Sequence, residues 1–219
     1  MRRSKLVTVA VLLGCVSLAL AAREFTVPRA ANAKTYPAHD AHANEQVTIA
    51  VDPYDMPGKA GIFKTKWREY GILPMHVIVS NDGDGPVALT GIKVELVTRN
   101  RSKIMPATDD DLYRRVSKVK RRGDEPSRNP LPVPLPRRGP EVGVSKDTRE
   151  ELEAAQFRAV AVEPHSTRAG FLFFDVQGIS TPLAGARLYV SGLRDNNGQE
   201  LMFFEIPLEK YLSAPAQPR

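Results

Sequence analysis

The sequence predicts an antiparallel all-β sandwich of about seven strands, with two or three short helices and a Pro-rich insertion. Three observations carry that prediction. Short runs of alternating apolar and polar residues recur along the chain, separated by turns rich in Gly, Asp, Asn and Pro. The strand–helix alternation that builds a parallel sheet does not occur. Hydrophobic residues make up 42% of the chain, enough to fill a core.

The chain opens with an export signal over residues 1–22. Arg2, Arg3 and Lys5 precede an apolar run over 6–20, and Ala19 and Ala21 supply the small residues that a signal peptidase accepts. Cleavage is expected after Ala21 or Ala22. The run is too short and too weakly flanked for a stable span, so no transmembrane span is expected after signal removal. Leu12-Leu13-Gly14-Cys15 spells a lipoprotein box. The apolar run continues past Cys15 to Ala22, which disfavours a lipid anchor there. Cys15 is the only cysteine, so a chain cut after Ala21 must hold its core without disulfides. The basic start points to a Sec-type signal and to the periplasm or the outside of the cell.

Residues 23–45 are small, Pro-containing and polar without periodicity, and read as a flexible leader. The sandwich domain is expected over 46–212. Residues 46–51 alternate as a first strand and stop at the turn chemistry of 52–58. A helical turn about 59–66 places Ile62, Phe63 and Trp67 over one end of the core. Residues 72–80 and 87–98 read as two strands of a hairpin joined by the Asn-Asp-Gly-Asp-Gly-Pro turn at 81–86.

Thr108 and Asp109 to Asp111 open a helix, with Leu112, Val116 and Val119 as its stripe and Gly123 as its stop. Residues 121–147 interrupt the sheet. Proline at alternate positions over 130–136 removes ladder donors and favours polyproline II, so an exposed insertion is expected. Thr148 begins a short helix that runs through Ala155. Strands return over 157–163, 167–176, 186–193 and 200–208. The run over 167–176 is the most apolar and is expected to be central. Asp195-Asn196-Asn197-Gly198 is a hairpin turn. The tail over 213–219 is expected to fray.

The segments VTIAVDPY, GILPMHVIVSNDGDGPVALTGIKVEL, FLFFDV and GQELMFFEIPL together resemble exported bacterial domains of the telokin-like, immunoglobulin-like kind. The resemblance spans about residues 46–210 and implies an immunoglobulin-like sandwich. It includes no active-site signature, so it implies no site residue.

Charge and motifs narrow the function. The formal charge of +6 falls to about +3 once Arg2, Arg3 and Lys5 leave. That suits solubility and weak attraction to anionic surfaces, and it excludes nucleic acid as the expected partner. His39 and His42 have no third ligand nearby, and His76 and His165 are isolated, so no metal site is expected. The run from Ser80 resembles a calcium loop but has Gly91 where a bidentate Glu is needed. Ser117 to Lys120 match S-x-x-K without the companion motifs, and G-x-S-x-G is absent. No cofactor signature occurs.

The reading is a non-catalytic envelope module that binds a protein or an anionic polymer. A sheet edge or the insertion carries the contact, through Arg121, Arg122, Pro132, Pro134, Pro136, Arg137 and Arg138. The alternative is a small hydrolase or metal-binding protein whose site is assembled only in three dimensions.

Overall fold

The computed structural model describes residues 25–119 and 142–214. Its spine is β3 (Ile72–Asn81), in which every residue is buried. β3 lies inside a four-stranded antiparallel sheet, between β2 (Val47–Pro53) and β10 (Ser166–Asp175), with β1 (His39–His42) beyond β2. Facing it is a second antiparallel sheet. Its order is β12 (Phe204–Pro207), β11 (Arg187–Ser191), β5 (Lys93–Val97) and β6 (Lys103–Ile104). Among the described residues there are twelve strands. Five of them are two-residue pairings: β4 (Val87–Ala88), β6, β7 (Lys118–Val119), β8 (Val142–Gly143) and β9 (Ala161–Val162).

The two sheets differ in how many faces they bury. In β5, β11 and β12, buried residues alternate with less buried ones, as in a sheet wet on one side. The inner face of the first sheet, through Ile49, Val51, Met75 and Val77, packs on Leu96, Leu188, Val190 and Phe204. The outer face of the first sheet is covered as well. Phe171 and Phe173 of β10 pack against Trp67, Leu112, Val116, Leu152 and Ala155. These residues come from a 3-10 turn (Trp67–Tyr70), α2 (Asp109–Val116) and α3 (Lys146–Ala155), which follow the short α1 (Pro57–Ala60). A last short helix, α4 (Glu209–Leu212), follows β12.

The expected flexible leader is corrected over residues 25–45. This segment completes the outer layer and supplies β1. Phe25 stacks on Phe63 at 5.2 Å, and Ala33 is fully buried, its N–H donating to Ser80 Oγ at 2.8 Å. Small residues let this backbone lie flat on Ala50 and Ile78, which is why its sequence lacks an apolar stripe.

The expected hairpin over 72–98 is also replaced. β3 stays in the first sheet, whereas β5 crosses to the second and pairs with β11 and β6. Asn81 fixes the crossing. Its buried side chain donates to the carbonyls of Gly85 at 2.7 Å and of Val162 and Glu163 at 3.2 Å. Its Oδ1 accepts the Gly83 N–H at 3.0 Å. β10 is not the central strand. It borders the first sheet, and its apolar run reflects cover on both faces.

Helix limits shift for local reasons. α2 has the Thr108–Asp111 capping box but ends at Val116, because Lys118 and Val119 enter a strand pairing. α3 begins at Lys146, since Ser145 rather than Thr148 caps it.

Asn81→Ala is expected to lower unfolding stability by about 3 kcal/mol, because it strands several buried backbone groups. Asp82→Ala, which loses the surface pair with Lys34, is expected to cost under about 1 kcal/mol. Urea unfolding midpoints of the two variants check this. Equal midpoints would contradict the role given to Asn81.

Candidate functional site

Bonds from other segments occupy part of two sheet edges. The backbone N–H groups of Met202, just before β12, and of Glu205, within it, donate to Glu45 Oε1 and Asp40 Oδ2, both at 2.9 Å. His42 sits between those carboxylates, 2.8 Å from Glu45 and 3.4 Å from Asp40, and stacks on Phe204 at 4.0 Å. His39 bonds instead to the Tyr36 carbonyl at 2.6 Å. Residues three apart on a strand point to opposite faces, so this pair does not converge on one ion. Along β10, the Phe173 and Phe171 carbonyls accept from the N–H groups of Ala107 and Phe157. Both edges are thus partly occupied.

A polar cluster lies under the outer layer. Asp52 and His76 are cross-strand partners. Asp52 is ion-paired with Lys59, whose ammonium lies 4.6 Å from the Tyr211 ring centre and 5.6 Å from that of Tyr54. The Tyr211 hydroxyl donates to Asp55 at 2.8 Å. Burial raises the Asp52 carboxyl above its ordinary range, against the opposing pull of Lys59. Burial, with Lys59 adding to it, pushes His76 down to about 4. His76 is 1% exposed, stacks on Phe171 at 4.8 Å, and its Nε2 has no hydrogen-bond partner among the described residues. The ring is enclosed, and the cluster joins the sheet to the outer layer.

Glu151 makes a second joint. Its buried carboxylate accepts from the backbone N–H groups of Lys64 and Thr65, tying α3 to the segment before Trp67. Burial raises its pKa against those bonds. The Trp67 indole N–H is buried near this carboxylate and makes no hydrogen bond among the described residues.

Open concave surface lies at the end where β3 begins and β10 ends. A groove of about 780 Å³ is lined by apolar Ile72, Leu73, Val176, Leu183 and Leu212, and by Arg68, Arg115, Asp55 and Gln177. A second groove of about 710 Å³ shares Glu69 and Tyr70 with it and is lined by Lys64, Lys66 and residues 143–145. The second groove borders the stem formed by β7 and β8, where Lys118 pairs with Gly143 and Val119 with Val142.

Arg121, Arg122, Pro132, Pro134, Pro136, Arg137 and Arg138 lie outside the described residues, within 120–141. That segment carries Lys120, Arg121, Arg122, Arg128, Arg137 and Arg138 against Asp124, Glu125 and Glu141. Its excess of about three cations equals the net charge of residues 23–219 as a whole, so the remainder of 23–219 balances. The grooves themselves carried no sequence signal. Arg68 and Tyr70 stand in a short turn, and the apolar lining reads as core.

Comparison of the chain with family models, with curated proteins and with solved structures gives no match.

The His76 joint predicts acid sensitivity. Below its ordinary pKa of 6.5 the unfolded chain takes up a proton that the folded chain refuses until about pH 4. Its contribution, up to about 3 kcal/mol, is present above pH 6.5 and is lost as pH falls toward 4. Stability curves of the parent and of His76→Phe are expected to diverge over that span, with the variant flatter. Parallel curves would contradict the assignment.

Proposed function

We propose that the protein is an exported, non-catalytic binding module of immunoglobulin-like type. Its partner is an anionic envelope polymer or an acidic envelope protein. The observation that carries this reading is the charge distribution. A charge-balanced sandwich holds a segment that contains the entire cationic excess of the mature chain, and the segment leaves and re-enters through one paired stem. Such an arrangement concentrates attraction in one stretch of the chain. The contact residues on this reading are Arg121, Arg122, Arg137 and Arg138, with Pro132, Pro134 and Pro136 limiting the entropy lost on binding.

The strand order supports the immunoglobulin-like assignment. Taken in chain order as A, B, C, C′, E, F and G, the strands β2, β3, β5, β6, β10, β11 and β12 group as A-B-E against G-F-C-C′. The periplasm or the cell exterior is the compartment, on the strength of the signal-like residues 1–22.

The test replaces residues 120–141 with a short Gly-Ser link between Val119 and Val142. Both strands of the stem and the Ser145 cap of α3 are then kept. The variant is expected to unfold cooperatively within a few degrees of the parent, on the order of a surface change. The parent is expected to bind immobilised polygalacturonate with affinity that falls as salt rises, and the variant to lose that binding. Unchanged binding by the variant would contradict the proposal.

A further inference from the structure

Asn197-Gly198 is the only Asn-Gly pair in the chain, and it stands in the turn between β11 and β12. Glycine after asparagine puts no side chain between the backbone nitrogen and the asparagine amide carbon. The structure leaves that approach open. Asn197 and Gly198 are both exposed, and a Cβ placed at Gly198 would meet no atom within 4 Å. The Asn197 amide makes one long hydrogen bond, from Nδ2 to Asp195 Oδ2 at 3.4 Å. Asn81 is the contrast. Its amide is buried, donates to three carbonyls and precedes an aspartate.

Asp195 holds the same turn. Its Oδ1 accepts the Asn197 and Gln199 N–H groups, both at 2.8 Å. Its carbonyl accepts the Gly198 N–H at 3.1 Å. The Gly198 nitrogen is therefore committed to a turn bond, and the neighbouring carboxylate opposes loss of its proton.

We propose that Asn197 is a site of spontaneous modification, a deamidation centre whose rate Asp195 holds down. Hydroxide takes the Gly198 N–H proton, and the nitrogen attacks Asn197 Cγ. The new C–N bond closes a succinimide ring as the Cγ–Nδ2 bond breaks, and ammonia leaves with a proton from water. Water then adds to one of the two ring carbonyls and reopens the ring to aspartate or to isoaspartate. The net change is one water consumed and one ammonia released. Either product sets a second carboxylate beside Asp195, in place of the Nδ2 donor. Isoaspartate also adds a methylene to the backbone inside the turn, which breaks the spacing of the Asp195–Gln199 bonds and loosens the Arg194–Glu200 bridge.

Peptide mapping by mass spectrometry tests this on the mature chain, held folded at neutral and at alkaline pH and, in parallel, unfolded in urea. Two products of the peptide that contains Asn197 are expected, each heavier by the difference between an acid and an amide. Asn81 and Asn196 are expected to stay intact in the folded chain. The rate is expected to rise with pH and to be about tenfold lower in the folded chain than in urea, on the scale of one turn hydrogen bond. Asp195→Ala is expected to raise the folded rate at least about threefold. Asn197→Gln is expected to abolish both products, since its longer side chain would need a six-membered ring. Asn197 still intact in the folded chain after about a hundred half-times of the urea sample would overturn the proposal. Modification of Asn196 in its place, or an Asp195→Ala rate equal to the parent's, would do so as well.

Discussion

Burial of one strand on both faces is the constraint on which the rest depends. β3 has the second sheet on one side and the outer layer on the other, so all ten of its residues are buried. Its polar members must then be satisfied within the protein. Ser80 is shared by the Ala33 N–H and the Thr167 hydroxyl, and Asn81 is consumed by the crossing to β4. His76 is the exception, since its Nε2 is buried without a hydrogen-bond partner among the described residues and its ring is kept neutral. The outer layer is the less regular half of the structure, yet it is joined at named points: Phe25 on Phe63, Glu151 on the 64–65 backbone, and Lys59 on Asp52.

That constraint separates what the sequence shows from what it hides. Alternation marks sheet strands that are wet on one face, so β5, β11 and β12 are legible as strands. A strand covered twice loses alternation, and the apolar run of β10 resembles a central strand for the same reason. The N-terminal arm is hidden by the opposite effect. Its Ala-rich stretch packs because it is small, and small residues also compose flexible leaders. The Asn81 turn is visible, but its partners at Val162 and Glu163 are 81 and 82 residues away. Register between sheets is likewise absent from local pattern, and the 81–86 turn therefore looks like a hairpin when it is a crossing.

The candidate site divides along the same line. The cationic, Pro-alternating segment stands out in the sequence because composition alone reveals it. The larger groove does not, since Ile72, Leu73 and Leu183 are indistinguishable from core and Arg68 is one arginine among many. Backbone and carboxylate partners occupy part of the β10 and β12 edges.

The most direct test of this account is amide hydrogen exchange across the first sheet. Double burial requires the central amides of β3, from Met75 to Val79, to exchange more slowly than those of β11, which is covered on one face only. The expected result is that β3 exchanges only by global unfolding, with β11 opening at lower free energy. Equal or faster exchange in β3 would show that the outer layer does not hold the spine, and would contradict the fold as described.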